Sequence, residues 1–349
     1  MKALAVTDVA NFELQNIDVP EPTDEEVLIK VSYVGVCGSD LPRYFEGGVH
    51  QYPQILGHEF SGIVAEIGKK VTNLKKGDRV AVAPLVPCNH CEQCKSGHPQ
   101  LCLNYSFIGS RRPGAMAEYV TAPEENCLLV PKELDLKIAA TIEPLTVAIH
   151  GLERVQTYAG QKTLVLGAGT IGLMTVLALK ARGVGEITVV DLNSHKLEIA
   201  KKIGADNVVN PLKENLDEYF KENGLASLVL ETAGNHTTQV QAVQYADRKA
   251  SVVFVGTCTK PVAFEPEQFE LILRRELELK GSWMSYSAPF PGFEWSAALR
   301  YLATGEVDTS PLITGIYSLE DKALPFEKMR EKDTKEVKVL YEIGGEEIE

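Results

Sequence analysis

From about residue 160 the chain repeats one rhythm: a short apolar run, a Gly-rich turn, then a stretch with helical spacing. The apolar runs are Thr163 to Leu166, Ile187 to Asp191, Asn207 to Val209, Leu228 to Glu231, Val252 to Val255 and Leu277 to Gly281, with helical patterns such as Ser194 to Ile203 between several of them. Short buried strands alternating with helices predict a doubly wound parallel sheet. Residues 1 to about 145 read differently, as β-branched runs such as Glu26 to Val31 punctuated by the turn pairs Gly47-Gly48 and Gly77-Asp78. That is the pattern of a mainly β region with loops. Beyond residue 285 come the Pro- and Gly-rich stretch Ala288 to Gly292, a helical pattern from Trp295 to Thr304 and a last strand candidate, Lys338 to Glu342. This remainder is too short for a core of its own, so it is expected to return and complete the first region.

Composition narrows the picture. With 349 residues, 44% hydrophobic and 24% charged, the chain suits two soluble domains with separate cores. A formal net charge of −13 argues against nucleic acid or anionic membrane as a partner, because both require a basic surface. An anionic small molecule would need its own local cluster of positive charge. The opening MKALAVTDVANFEL has no charged segment leading into a long apolar core, and no run of about 18 apolar residues follows, so a cytoplasmic protein is expected. Of seven cysteines, four crowd between Cys88 and Cys102, a spacing that in a reducing compartment favours zinc thiolates over disulfides. Cys127 and Cys258 read as small buried apolar residues.

Three motifs carry chemistry. The first is Gly167-Ala168-Gly169-Thr170-Ile171-Gly172, a G-x-G-x-x-G placed between an apolar strand and an apolar helix. Gly167 permits the tight turn, Gly169 lets backbone approach a pyrophosphate, Gly172 allows close packing of helix on sheet, and the helix start at Thr170 and Ile171 favours the anion. The next strand ends in Asp191, nineteen residues beyond Gly172, where a carboxylate accepts from both ribose hydroxyls. Asp191 would repel a 2′-phosphate and no arginine follows it closely, so NAD is expected over NADP. Lys196 either flanks the adenosine or is a solvated helix lysine.

The second motif is Cys88-x2-Cys91-x2-Cys94-x7-Cys102, four thiolates suited to a closed tetrahedral zinc site with a structural role. An iron-sulfur cluster fits less well, because the last spacing is seven and leucine, not proline, follows Cys102. The third is the set Cys37, His58, Glu59 and Glu143, a thiolate, an imidazole and carboxylates, a mixture that leaves room for exchange at a catalytic zinc. Spacing alone does not unite these four.

Taken in order, Cys37-Gly38-Ser39-Asp40, Gly57-His58-Glu59-x2-Gly62-x5-Gly68, Gly77-Asp78-Arg79-Val80, the four-cysteine lobe, Glu143-Pro144 and the glycine fingerprint resemble the zinc-dependent medium-chain dehydrogenase/reductase superfamily over essentially the whole chain. The resemblance implies a Rossmann domain (residues 146–284) inserted into a mainly β GroES-like catalytic domain (1–145), with residues 285–349 completing the latter. It implies two zinc ions per chain, one catalytic and one structural, with NAD as cofactor. It also implies zinc held against the nicotinamide between the domains, and a homodimer or homotetramer paired through the Rossmann domain. Glu143 resembles the third zinc ligand of the polyol-dehydrogenase branch, with Glu59 either a direct ligand or one that exchanges with water or substrate. Asp40 matches a carboxylate that hydrogen-bonds the ligand histidine, and Ser39 the hydroxyl that receives the alcohol proton. Where many relatives carry a relaying histidine, this chain has Pro42, leaving His50 or water for that step.

Cys37 to Arg43, His50-x-Tyr52-Pro53, Phe107 to Arg112 and Gly281 to Ser287 resemble, more narrowly, dehydrogenases of hexitol phosphates, which implies oxidation of a secondary hydroxyl on a sugar alcohol phosphate. An acidic protein that binds a phosphate needs an arginine fork, for which Arg43, Arg111 and Arg112 are candidates. Ser110 and Tyr286 are candidates for polyol hydroxyls. The rival readings are a dehydrogenase of an unphosphorylated or different polyol, sorbitol dehydrogenase-like, and a non-catalytic NAD-binding protein on the same scaffold.

Overall fold

The computed structural model describes residues 1–344 and divides into two compact units, Met1–Thr146 joined by the chain from Tyr286 onward, and Val147–Ser285. In the first, β1 (Lys2–Asp8), β2 (Asn11–Asn16) and β4 (Gln54–Ile55) form a three-stranded sheet around β1. Its main sheet has seven strands. β3 (Glu26–Gly35) is central, bordered by β5 (Glu59–Ile67) and then β6 (Arg79–Val82) and β10 (Cys127–Leu129), while β9 (Tyr119–Pro123) pairs with the first half of β3. Two short strands, β7 (Leu85–Val86) and β8 (Ser106–Phe107), pair beside it. Eight of ten β3 residues are buried, so the strand packs on both faces, as its nearly continuous apolar run requires.

The second unit is a six-stranded parallel sheet: β11 (Thr163–Leu166), β12 (Ile187–Val190), β13 (Asn207–Val209), β14 (Ala226–Glu231), β15 (Ala246–Phe254) and β16 (Glu278–Gly281), in the spatial order 13-12-11-14-15-16. The order reverses at β11, which puts the topological switch point at the glycine fingerprint. The expected strands recur within a few residues; β15 starts earlier because the polar run Asp247 to Lys249 extends it beyond its apolar core.

The chain then returns to the first unit. β17 (Ile313–Tyr317) pairs parallel with β18 (Lys338–Glu342), and β18 lies antiparallel to β3 with Leu340 opposite Gly35. Gly35 is also opposite Glu59 on β5, so the end of β3, the start of β5 and the start of β18 lie side by side. A core around Leu4, Ile29, Val34, Phe60, Met116 and Phe326 fills the first unit, and another around Leu164, Phe220, Val229 and Val252 the second. Cys127 packs half-buried against the first core. Cys258 departs from its expected burial: β15 ends at Phe254, and the thiol sits half-exposed on the following loop against the Lys260 carbonyl.

Candidate metal centre and cofactor site

Because β3 and β5 run antiparallel, the end of one and the beginning of the other coincide in space. Cys37 follows β3 and His58 precedes β5, so two residues twenty-one positions apart become neighbours. Ligand atoms of Cys37, His58 and Glu59 lie within 4.8 Å of one another. Glu143, in the first turn of the helix Ile142–Glu153, stands outside that tight group, yet its carboxyl is near enough for the charges of His58, Glu59 and Cys37 to act on it.

The electrostatics of this group call for a cation. Burial first, then the Glu59 and Asp40 carboxylates, pushes the Cys37 thiol up to about 12. Burial also pushes Glu143 up to about 8, against the lowering effect of His58 and Lys338 and with repulsion from Glu59 and Cys37 adding to it. Both groups must lose protons to act as ligands, and only a nearby positive charge makes that favourable in so dry a place. His58 Nδ1 is buried without a hydrogen-bond partner. A thiolate, an imidazole and one of the two carboxylates suit zinc with a position left for exchange.

Asp40 is fully buried beneath His58, but its role differs from the expected hydrogen bond. Its Oδ1 is 3.6 Å from His58 Nδ1, beyond hydrogen-bond length, because the carboxylate is already occupied by the Cys37 N–H (3.1 Å, to Oδ2) and the Arg43 guanidinium (3.0 Å, to Oδ1). The Phe107 ring meets the imidazole edge-on at 5.5 Å. Arg43 also donates to Ser39 Oγ at 2.7 Å through the same Nη1. It is therefore a brace between Ser39 and Asp40, not a free phosphate ligand. Ser39 itself is exposed, and so are Pro42 and His50.

The other substrate candidates separate clearly. Arg112 donates to Glu26 at 2.6 Å and to Thr121, so its fork is occupied by a structural ion pair. Arg111 is exposed, stacked over the Tyr105 ring at 4.4 Å, on a turn whose backbone N–H groups at Ser110, Arg111 and Arg112 all donate to the Phe107 carbonyl. That turn adjoins the segment leading to His58, since Gly109 packs against Gly57 backbone. Ser110 is buried within it. Tyr286 is also buried, stacked on Phe290 and Trp295, with its oxygen accepting from the Leu85 N–H at 3.0 Å. Packing holds that hydroxyl in the core, near enough to Glu143 for the carboxylate's charge to act on it.

One residue the sequence reading missed is Lys338. It is fully buried at the start of β18 and donates to Glu59 Oε2 at 2.5 Å and to the Val36 carbonyl at 3.0 Å. Burial alone would lower its pKa, but the Glu59 carboxylate and the Cys37 sulfur outweigh that and raise it, so the ammonium stays charged. A lysine inside the apolar run Val337 to Tyr341 was the available signal.

The four-cysteine lobe is compact. Cys91 caps the short helix Glu92–Lys95, which carries Cys94, and Cys102 follows the 3-10 turn Pro99–Leu101. Cys91 Sγ lies 3.6 Å from Cys94 Sγ and 3.9 Å from Cys102 Sγ, and all four sulfurs fall within 4.8 Å of one another. A tetrahedron with zinc-sulfur arms of about 2.3 Å has edges of about 3.8 Å, so the sulfurs already stand at zinc-thiolate spacing. Backbone N–H groups of Cys94 and Leu103 lower the Cys91 thiol to about 6. Burial first, then the Cys102 and Cys91 sulfurs, pushes Cys94 up to about 12.

In the second unit, Gly167 closes the turn after β11 at φ +101°, and a Cβ on Gly172 would overlap the Gly167 carbonyl. Gly169 caps the helix Thr170–Ala181, with Ile171 in its first turn. Asp191 stands just past β12, its Oδ2 accepting from the Ala168 N–H (2.6 Å) and its Oδ1 from the Asn193 N–H (2.8 Å). Lys196 is half-buried in the helix Ser194–Lys202, its N–H held by the Asn193 cap.

Residues 23–132 match the family model described as alcohol dehydrogenase GroES-like domain, and residues 170–302 the one described as zinc-binding dehydrogenase. The chain belongs to the zinc-dependent medium-chain dehydrogenases, oxidoreductases of CH–OH groups that use a nicotinamide cofactor and small-molecule substrates. Within that family it falls in the polyol-dehydrogenase branch. It is 39% identical to galactitol 1-phosphate 5-dehydrogenase of Escherichia coli K12 over 302 residues, 86% of this chain and 87% of the relative. It is 36% identical to sorbitol dehydrogenase of Bacillus subtilis 168 over 92% of this chain and 91% of the relative. The crystal structure of galactitol-1-phosphate dehydrogenase from Escherichia coli superposes with a TM-score of 0.93 at 36% identity, covering 98% of this chain and 99% of that one. No helix among the described residues is long and apolar enough to cross a membrane.

Proposed function

We propose that this chain oxidises galactitol 1-phosphate at a secondary hydroxyl to tagatose 6-phosphate, with NAD as hydride acceptor. One zinc would be held by Cys37, His58 and Glu143 with Glu59 beside them, and a second, structural zinc by Cys88, Cys91, Cys94 and Cys102. The observation that carries the reading is the Cys37-His58-Glu59 group, with His58 and Glu59 buried and Cys37 half-buried, and the exposed Arg111 on the turn packed against its approach. When bound, zinc supplies a Lewis acid that lowers the pKa of the substrate hydroxyl and NAD supplies the acceptor for hydride.

The chain's own residues do the rest. Arg43 donates to Ser39 Oγ, which fixes that oxygen beside Cys37, whose sulfur the Ser39 hydroxyl also meets. Ser39 receives the proton of the alcohol and passes its own to water, to which it is exposed, so Pro42 in place of a relaying histidine costs little. Asp40 fixes the Cys37 backbone from below. Asp191 accepts from the adenosine ribose hydroxyls and excludes a 2′-phosphate.

Arg111 donates from Nη2 to the Tyr105 hydroxyl at 3.5 Å and is otherwise exposed, so it is the arginine left for the phosphate once Arg43 and Arg112 are committed elsewhere. That leaves a single arginine, which favours a second reading, an unphosphorylated polyol such as sorbitol as substrate. Reduction of NAD and, separately, of NADP with galactitol 1-phosphate, galactitol and sorbitol distinguishes them. A charge-assisted contact of about 1.5–3 kcal/mol makes the phosphate ester roughly ten- to a hundredfold better in kcat/KM, a preference lost in Arg111→Ala. Equal rates on galactitol or sorbitol would establish the second reading, and equal use of NADP would remove the role given to Asp191.

The parallel sheet leaves β16 as an edge strand carrying exposed Leu279, and the helix Pro266–Arg274 that precedes it in the chain exposes Phe269 (54% accessible) and Leu273 (65%). An apolar edge of this kind is usually covered, and a second copy paired along it gives a dimer, which a further interface would double to the tetramer. Light scattering should return twice or four times the chain mass of 38.2 kDa; a monomer at micromolar concentration would contradict the assembly.

A further inference from the structure

Lys338 is a fully buried ammonium in the strand that returns from the far end of the chain, and neither zinc ligation nor proton transfer has a use for it. Its two hydrogen bonds are informative. One goes to the carbonyl of Val36, the residue before Cys37, and the other to Oε2 of Glu59, the residue after His58. The ammonium therefore ties together the two segments that carry the candidate ligands.

The three-strand register explains how the contact arises. Glu59 and Leu340 both stand opposite Gly35, and Lys338 shares a strand face with Leu340, two residues on. Between them Gly35 has no side chain, and any Cβ there would overlap Glu59 Oε2. The empty position lets the Glu59 carboxylate lie back across β3 toward β18. An ordinary buried strand position would carry an apolar residue at far lower desolvation cost.

We infer that Lys338 is a positioning residue that holds Glu59 off the zinc, so that a coordination position stays open for the substrate alcohol. The inference rests on the catalytic-zinc reading above. Its electrostatic logic is a matter of charge balance. With Glu59 paired to Lys338, the Cys37 thiolate and the Glu143 carboxylate balance a dication. With Glu59 also on the metal, the site carries an excess negative charge and polarises a hydroxyl less. Removing Lys338, or filling the space at Gly35, should therefore make Glu59 a fourth protein ligand.

Cobalt in place of zinc provides the test, because its visible bands report coordination directly. In the wild type, two cobalt ions bind per chain and the bands of one change on adding galactitol 1-phosphate. In Lys338→Met the bands no longer respond, release of that ion to a chelator slows about ten- to a hundredfold, and kcat falls by a similar factor. The double variant Lys338→Met with Glu59→Gln recovers the spectral response and the faster release. If Lys338→Met proves insoluble, Gly35→Ala, which keeps the lysine, must show the same slowed release. Release from either variant as fast as from wild type, or an intact spectral response, overturns the role of Lys338. A wild-type chain that binds a single cobalt instead removes the catalytic-zinc reading itself.

Discussion

Replacing Cys37 with alanine is expected to reduce kcat/KM for the alcohol on the order of ten-thousandfold and to lower zinc content from two per chain to one. A Lewis acid at the reacting oxygen lowers the barrier by several kcal/mol, and about 1.4 kcal/mol corresponds to each tenfold change in rate. Cys37 is the only thiol in the group with His58 and Glu59, and burial beside the Glu59 and Asp40 carboxylates keeps its proton on unless a further cation is near. Alanine keeps the backbone N–H that Asp40 accepts, so β3, β5 and the Asp40-Arg43 brace should persist. Metal analysis, steady-state kinetics and the circular dichroism spectrum measured on one preparation check this together. Full activity with a native spectrum would remove Cys37 from the mechanism.

Replacing Cys94 with serine is expected to act on stability first. The lobe from Cys88 to Cys102 holds only two short helical turns, and its four sulfurs supply its internal order. Structural zinc is worth about 10–16 kcal/mol in small zinc domains, and part of that is coupled to the fold here. At about 2–4 °C per kcal/mol for a chain of this size, the melting midpoint should fall by at least about 10 °C. Limited proteolysis should cut near Gly97, on the turn between Cys94 and Cys102. The remaining zinc and the activity at low temperature should survive, because Cys37, His58 and Glu59 belong to a different part of the unit. An unchanged midpoint would mean that the lobe is held by packing alone.

How far the sequence reveals this protein depends on whether a feature is local. The parallel sheet was legible because its strands are short runs next to their own turns, and β11 and β13 begin and end at the expected residues, as does β18 in the other unit. The four-cysteine lobe and the glycine fingerprint were legible for the same reason, since all their parts lie within a few residues of one another. Partnerships set by register were not. Lys338 and Glu59 are 279 residues apart and meet only because β18 and β5 flank the same end of β3. Arg43 and Arg112 looked like phosphate ligands because sequence shows a guanidinium but not the carboxylates of Asp40 and Glu26 that occupy it. Tyr286 looked available to a polyol for the same reason, although the Leu85 N–H and two aromatic neighbours enclose it.

Chelation followed over time tests most directly whether the Cys37-His58-Glu59-Glu143 group holds a zinc that activates the alcohol. The open site should give up its metal first, so NADH formation should disappear in step with loss of one of two zinc ions per chain, and one equivalent of zinc should restore it. Activity that persists after the first zinc has left, or a chain that never held more than one, would contradict a catalytic metal at this site.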